Sequence, residues 1–241
     1  MLHLTKNDIS IIMASSSYGV CYEPIVSVID LKIIGYEALS RFKYKNTLIP
    51  PDKVFKLLHN DLEMFFFIES IMKKFQLKNR PDNKTLFLNL DPDVSLDDNQ
   101  IDFWINLLKS QENIVVEIIE NSDEESVEDI KNFMGWMDIN DIEYAYDDFG
   151  KPNSIFFKSL LETALYVKLD ISFLRTIKID YNYIELLKGV VNYASKKSKY
   201  TILEGVENQE DLEIAKIIGV DYIQGYLFKD KFTTVWRNDD N

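Results

Sequence analysis

What constrains this chain most is a regular alternation along its length. Short apolar runs rich in β-branched and aromatic residues are separated by stretches with helical periodicity. Strands are expected at 18–28, 32–39, 84–90, 113–119, 142–147, 164–169, 200–204 and 220–224. Helices are expected at 51–59, 61–78, 97–110, 124–140, 154–162, 182–198 and 208–218. In the longest, Met64, Ile68, Ile71 and Phe75 recur at helical spacing, and Phe65, Phe66 and Phe67 read as core. Ser95 and Ser122 each precede acidic residues that suit a helix start, and Gly219 suits a left-handed helix end. Eight strands alternating with helices in 241 residues point to an α/β fold, a TIM-like (β/α)8 barrel. An open doubly wound sheet is the alternative, but no GxGxxG follows a strand. Only Val28-Ile29-Asp30-Leu31 joins the first two strands, too short for a crossover helix, so the first strand should run antiparallel. No linker divides the chain, and one domain over 1–241 is expected.

Composition narrows the chemistry. With 27 basic and 40 acidic residues the net charge is −13, which disfavours polymeric nucleic acid as a partner. The single cysteine, Cys21, excludes a disulfide framework and reads as a buried small hydrophobe. His3 and His59 lie outside any metal-ligand spacing and read as surface residues. A metal here would need oxygen ligands and would be a hard ion. No apolar run is long enough to span a membrane, and the N-terminal stretch lacks the pattern of a signal peptide. Cytoplasm is the expected compartment.

Polar groups sit where the strands end. Glu37 closes the second strand, Asn89 the third, and Glu117 lies near the end of the fourth. Asp147 and Asp148 close the fifth, Lys168 and Asp170 the sixth, Glu204 the seventh and Gln224 the eighth. Strand ends converge on one mouth of a barrel, where its active sites lie. Glu37, Glu117, Asp147, Asp148 and Glu204 would then share a cavity. Each like pair at about 4 Å costs about 4 kcal/mol at an effective dielectric of about 20. Protonation or divalent cations must relieve that repulsion. A carboxylate bridging two ions would suit phosphate-ester cleavage. Taken singly, each motif is compatible with a plain turn or strand end. The ordered series along seven strand ends is what escapes that bland reading.

These residues resemble the EAL domain, the bacterial phosphodiesterase family that hydrolyses cyclic di-GMP. The namesake triplet is Glu37-Ala38-Leu39 in GYEALSR, and LFLNL carries the family's asparagine, Asn89. Glu117 to Glu120 resemble its Glu-x-x-Glu motif, DDFG stands at 147–150, and Lys168-Leu169-Asp170 matches Lys-x-Asp. Glu-Gly-Val-Glu stands at 204–207 and Gln-Gly-Tyr at 224–226. The resemblance covers about residues 18–229. It implies a TIM-like barrel with an antiparallel first strand. It implies Glu37, Asn89, Glu117 and Asp147 on one Mg²⁺ or Mn²⁺, and Asp147, Asp148 and Glu204 on a second; Ca²⁺, which prefers longer bonds and more ligands, is expected to inhibit. Glu37, Lys168, Glu204 and Gln224 would form the catalytic group, Lys168 and Gln224 orienting the attacking water or the ligands. Glu23, Leu39, Arg41 and Glu207 would hold the substrate, and Glu120 would couple the loop after Asp148 to a homodimer. The product would be linear pGpG. A catalytically inactive receptor or protein-interaction module is the alternative, and no ligand position is lost here. The family's usual glutamine in YQPI is Glu23, the Thr-Gly after DDFG is Lys151-Pro152, the Thr before Glu120 is Ile119, and YLFKDKF lacks the usual proline.

Overall fold

The structure, a computed structural model, describes residues 4–118, 127–152 and 156–237. In chain order its elements are α1 (Lys6–Ala14), β1 (Tyr18–Ser27), β2 (Ile33–Tyr44), β3 (Thr47–Ile49), α2 (Pro51–Leu58), α3 (Leu62–Lys78), β4 (Thr85–Asn89), α4 (Asp98–Lys109), β5 (Ile114–Ile118) and α5 (Val127–Ile139). They continue with β6 (Glu143–Phe149), α6 (Lys158–Thr163), β7 (Tyr166–Leu169), α7 (Ser172–Ile179), α8 (Tyr183–Lys196), β8 (Tyr200–Leu203), α9 (Gln209–Ile218), β9 (Tyr222–Ile223) and β10 (Thr233–Trp236).

The barrel closes as expected. Strands β2, β4, β5, β6, β7, β8 and β9 are parallel neighbours in that order. Strand β1 fills the remaining gap, antiparallel to both β2 and β9. The short link after β1 turns through Leu31 at φ +54°, and Ser27 N–H donates to Lys32 C=O. A helical crossover is impossible over that length, so the strand direction reverses. Strands β3 and β10 lengthen the sheet at β2 and β1.

Side chains alternate across a strand, so every second residue points into the barrel. One inward layer is Ile25, Phe87, Val115, Ala145, Tyr166 and Ile202, a small apolar cluster of its own. The next inward step, about 7 Å along each strand, is Glu23, Asn89, Glu117, Asp147, Lys168 and Glu204. The same step leads from Gly35 to Glu37 on β2 and from Tyr222 to Gln224 after β9. Gly35 is required by close approach: a Cβ there would lie 2.5 Å from the Thr85 carbonyl oxygen. Outside the barrel, the helices bury the larger core, in which Trp104 is fully buried and donates to Val94 C=O.

Several local expectations are corrected. The buried stripe of α3 runs through Phe65, Ile68, Met72 and Phe75, while Met64 and Ile71 flank it half-buried. Phe67 points away from the core and is 60% exposed. Helix α4 is capped by Asp97, whose side chain accepts from Gln100 N–H, whereas Ser95 ends a 3-10 turn. Helix α6 is confined to Lys158–Thr163. Elements α1, β3, α7 and β10 were not anticipated. Gly219 does end α9 in the left-handed conformation, and Cys21 is buried. His3, Ser122 and Glu120 lie outside the described residues. Among the described residues no helix is long and apolar enough to cross a membrane.

Candidate active site

The strand-end residues meet around one ammonium. Lys168 Nζ lies 2.6 Å from Glu117 Oε1, 2.8 Å from Asp147 Oδ1, 2.9 Å from Glu204 Oε1 and 3.3 Å from Glu37 Oε2. Its side chain is 1% exposed. Two amides complete this inner group: Asn89 Nδ2 donates to Glu37 Oε1 and Glu117 Oε2, and Gln224 Nε2 donates to Glu37 Oε2 at 2.6 Å. Residues 87, 115 and 143 are neighbours in register, so the ends of β4, β5 and β6 align, and the parallel pairing of β2 and of β7 to β9 brings the seven residues together.

Burial and mutual repulsion set the charges. Burial, with the Glu37 charge beside it, pushes Glu117 well above the ordinary carboxylate range. Burial likewise raises Asp147, and lifts Glu204 to about 8. For Glu37 burial acts in the same direction, but the Lys168 ammonium and the amides of Gln224 and Asn89 outweigh it and hold the carboxyl low. Burial works against the charge on Lys168, yet the surrounding acids keep it well above the ordinary range.

An outer group lies beside the inner one. The β6–β7 register shifts between Tyr146 and Phe149, and Asp148 takes φ +54°. That irregularity lets two adjacent aspartates face the same mouth, which a regular strand forbids. Asp148, Asp170 and Glu204 each offer an oxygen within 4.8 Å of the others. Asp170 had no assigned role in the sequence, although it stands in the Lys168-Leu169-Asp170 motif. The donor set is all oxygen, and Glu117 Oε1 and Asp147 Oδ1 are buried without a well-directed hydrogen bond. Both features fit hard divalent cations.

Two cavities meet at Leu39. One, about 430 Å³, lies over the carboxylates and is lined by Glu23, Glu37, Asp148, Glu207 and Tyr226 among others. The second, about 690 Å³, runs between β2, α2 and α3 and reaches Asn89 and Asp91. Its wall holds a buried Glu69–Lys73 ion pair and Gln76, whose Oε1 is buried with no hydrogen-bond partner. Sequence reading missed these three. Their signal is a pair of opposite charges at i, i+4 followed by an amide at i+7, all on the buried stripe of α3. At the rim, Arg41 Nη2 donates to Glu23 Oε1 at 3.1 Å, so two expected substrate contacts are paired with each other. Burial raises the Glu23 carboxyl, with the nearby Glu37 charge adding to it.

Residues 7–230 match the family described as the EAL domain. The chain belongs to the EAL-domain family, a phosphodiesterase family. Cyclic di-GMP phosphodiesterase PdeL of Escherichia coli (strain K12) is 23% identical over 97% of this chain and 69% of its own length. The crystal structure of an EAL-domain protein from Listeria monocytogenes EGD-e superposes with a TM-score of 0.75 at 24% identity, covering 100% of this chain and 97% of that one. Bacillus subtilis YkuI, solved in complex with cyclic di-GMP and calcium, gives 0.77 at 22% identity over 95% of this chain. This chain spans 58% of the YkuI chain. Both structures share the closed barrel, so the fold of this EAL domain is a TIM-like barrel.

Proposed function

We propose that this EAL domain hydrolyses one phosphodiester of cyclic di-GMP to give linear pGpG, using two divalent ions, Mg²⁺ or Mn²⁺. The observation that carries this reading is the convergence of Glu37, Asn89, Glu117, Asp147, Asp148 and Glu204 on one mouth, under a cavity of about 430 Å³. PdeL is named a cyclic di-GMP phosphodiesterase, and YkuI was solved with cyclic di-GMP and calcium, which supports the same ligand here.

In this proposal Glu37, Asn89, Glu117 and Asp147 hold one ion, while Asp147, Asp148 and Glu204 hold the second. When bound, such ions acidify water and neutralise phosphate charge. Hydrolysis adds water across one P–O bond: the water oxygen joins phosphorus and the departing ribose oxygen takes a proton. Lys168 keeps the carboxylates together through that change in charge. Gln224 fixes the Glu37 carboxylate by its 2.6 Å bond, leaving less freedom to the ligands that position the water. Arg41 offers a charge-assisted bond to phosphate. Glu23 and Glu207 stand where guanine edges can donate to them. The two cavities joined at Leu39 give room for both halves of an extended dinucleotide. Coupling to a homodimer through Glu120 belongs to the same proposal.

One observation favours a second reading, ligand binding without turnover: Lys151 Nζ sits 2.6 Å from Asp148 Oδ2, a carboxylate proposed for the outer ion. The test is incubation of the purified chain with cyclic di-GMP and either Mg²⁺ or Mn²⁺, with products separated by chromatography. Formation of pGpG is expected. Ca²⁺ alone should not support turnover, because it prefers longer bonds and more ligands. Binding without product would establish the receptor reading, and neither binding nor product would end both.

A further inference from the structure

The inner and outer acidic groups each hold an ammonium of the chain's own, and the two differ in freedom. Lys168 is walled in by the barrel. Lys151 is 54% exposed, on a turn at the rim. The turn fixes where its amine can go. Lys151 N–H donates to the Asp148 carbonyl at 3.0 Å, and the side chain folds back to the carboxylate of the same residue. Gly150 makes the turn at φ +82°, and a Cβ there would fall 2.1 Å from the Phe173 ring. Ser172 Oγ donates to Gly150 C=O, tying the turn to α7. Pro152 further restricts the backbone of Lys151. The amine is therefore a tethered cation, present at a high effective concentration beside Asp148. Asp148 belongs to the three-oxygen group with Asp170 and Glu204 that suits a hard ion.

We propose that Lys151 is a built-in competitor for the second divalent ion, its ammonium occupying Asp148 until the ion displaces it. The inference rests on the two-ion reading given above. The exchange is cation for cation: the carboxylate stays ionised, and no covalent bond forms or breaks. Lys168 contacts ligands of both ions, Lys151 only a ligand of the outer one; with three proposed ligands against the inner ion's four, the outer position thus fills at a higher metal concentration than the inner one. Between those two concentrations the chain carries one ion, a state suited to holding a cyclic dinucleotide without cleaving it.

The test needs no nucleotide and no turnover. Mn²⁺ is titrated into the metal-free full chain, and free Mn²⁺ is followed by its paramagnetic resonance signal, for the parent, Lys151→Met and Lys151→Arg. Two ions per chain are expected, the weaker one tightening about fivefold in Lys151→Met, the scale of a half-exposed ion pair. The tighter step should not move, and Lys151→Arg should keep the parent's weaker step. Equal weaker steps in the parent and Lys151→Met would overturn the proposal. So would a single ion in Lys151→Met, or an arginine variant that behaves like the methionine one. Loss of cyclic di-GMP hydrolysis would leave these outcomes readable, so the two proposals fail separately.

Discussion

The two inward layers of the barrel share strands and register, and lie one step of two residues apart. The lower layer, Ile25, Phe87, Val115, Ala145, Tyr166 and Ile202, is apolar. Tyr200 packs against that layer's Tyr166 and against Tyr222, with ring centroids 5.4 and 5.6 Å apart. Burying a side chain such as Phe87 contributes about 1.5–3 kcal/mol. The upper layer gathers Glu37, Glu117, Asp147 and Glu204 on one Lys168, and like charges that close oppose folding by several kcal/mol in total. Placing a reactive group of acids on a frame this regular requires an apolar layer that stabilises the frame independently. Function and stability are thus stacked along the same strands, and single substitutions should separate them.

The largest separation is expected from Glu37→Ala. Turnover should fall by about a thousandfold or more, about 4 kcal/mol of transition-state stabilisation. The metal-free protein should remain folded, with an unfolding temperature at or somewhat below the parent's, because Lys168, Asn89 and Gln224 lose one shared acceptor. An unfolded variant would assign Glu37 to the frame instead. Phe87→Ala is the counterpart below. It should destabilise the chain by about 3–5 kcal/mol, by the same amount with EDTA or with Mn²⁺ in denaturant titrations. A metal-dependent loss there would mean that the layers are not independent.

A smaller effect is expected from pH. Glu204 titrates at about 8 in the fold, and Glu117 and Asp147 are also raised, mainly by burial. In the unfolded chain such groups ionise near about 4. Between about pH 4.5 and 8 the folded protein retains protons that the unfolded chain has released, so its stability falls as pH rises. The unfolding temperature in EDTA should be lower at pH 8 than at pH 6, and saturating Mn²⁺ should flatten the difference, as differential scanning fluorimetry can show. A metal-free protein more stable at pH 8 would contradict the raised carboxyls.

The smallest change is expected at the rim. Glu23→Gln keeps an acceptor for Arg41 while removing the charge, and should alter cyclic di-GMP affinity less than about tenfold, or about 1.4 kcal/mol. Glu23→Ala should weaken binding further. Titration in Ca²⁺, to block turnover, compares the three proteins. If Glu23→Ala binds as well as the parent, Glu23 serves Arg41 alone and not the ligand.

The upper layer was legible because each polar residue interrupts an apolar run at its end, as in LFLNL and YVKLD. Alternation did the rest, since period two fixes which residues face inward. The polar wall on α3 was hidden for the opposite reason. Glu69, Lys73 and Gln76 sit inside a helical pattern whose neighbours are apolar, so they look like solvent-facing residues until the α2–α3 packing is seen. Helix α1 had a readable start, the Thr5–Asp8 capping box, in a segment that had been weighed only as a leader sequence. Strand β10 is a run of β-branched and aromatic residues, Thr233–Trp236, too short to be read alone, and it is fixed as strand by pairing with Gly19 to Tyr22 of β1. The pairing of Arg41 with Glu23 depends on the β1–β2 register, which no local pattern carries.

That closing strand also dictates an order of assembly. Residues 18–27 emerge before every other strand of the barrel and pair with β2, the next to follow, but their other edge is met by Val26 with Ile223, Ser27 with Tyr222, and residues 19–22 with 233–236. Contacts separated by nearly the whole chain form late, because loop closure must precede them. During synthesis, β1 therefore waits as the open side of a hairpin while every parallel strand is added in sequence. The segment that carries β9 and β10 is the one that shuts the barrel, and until it is made an unpaired strand edge is the surface most in need of protection from other chains.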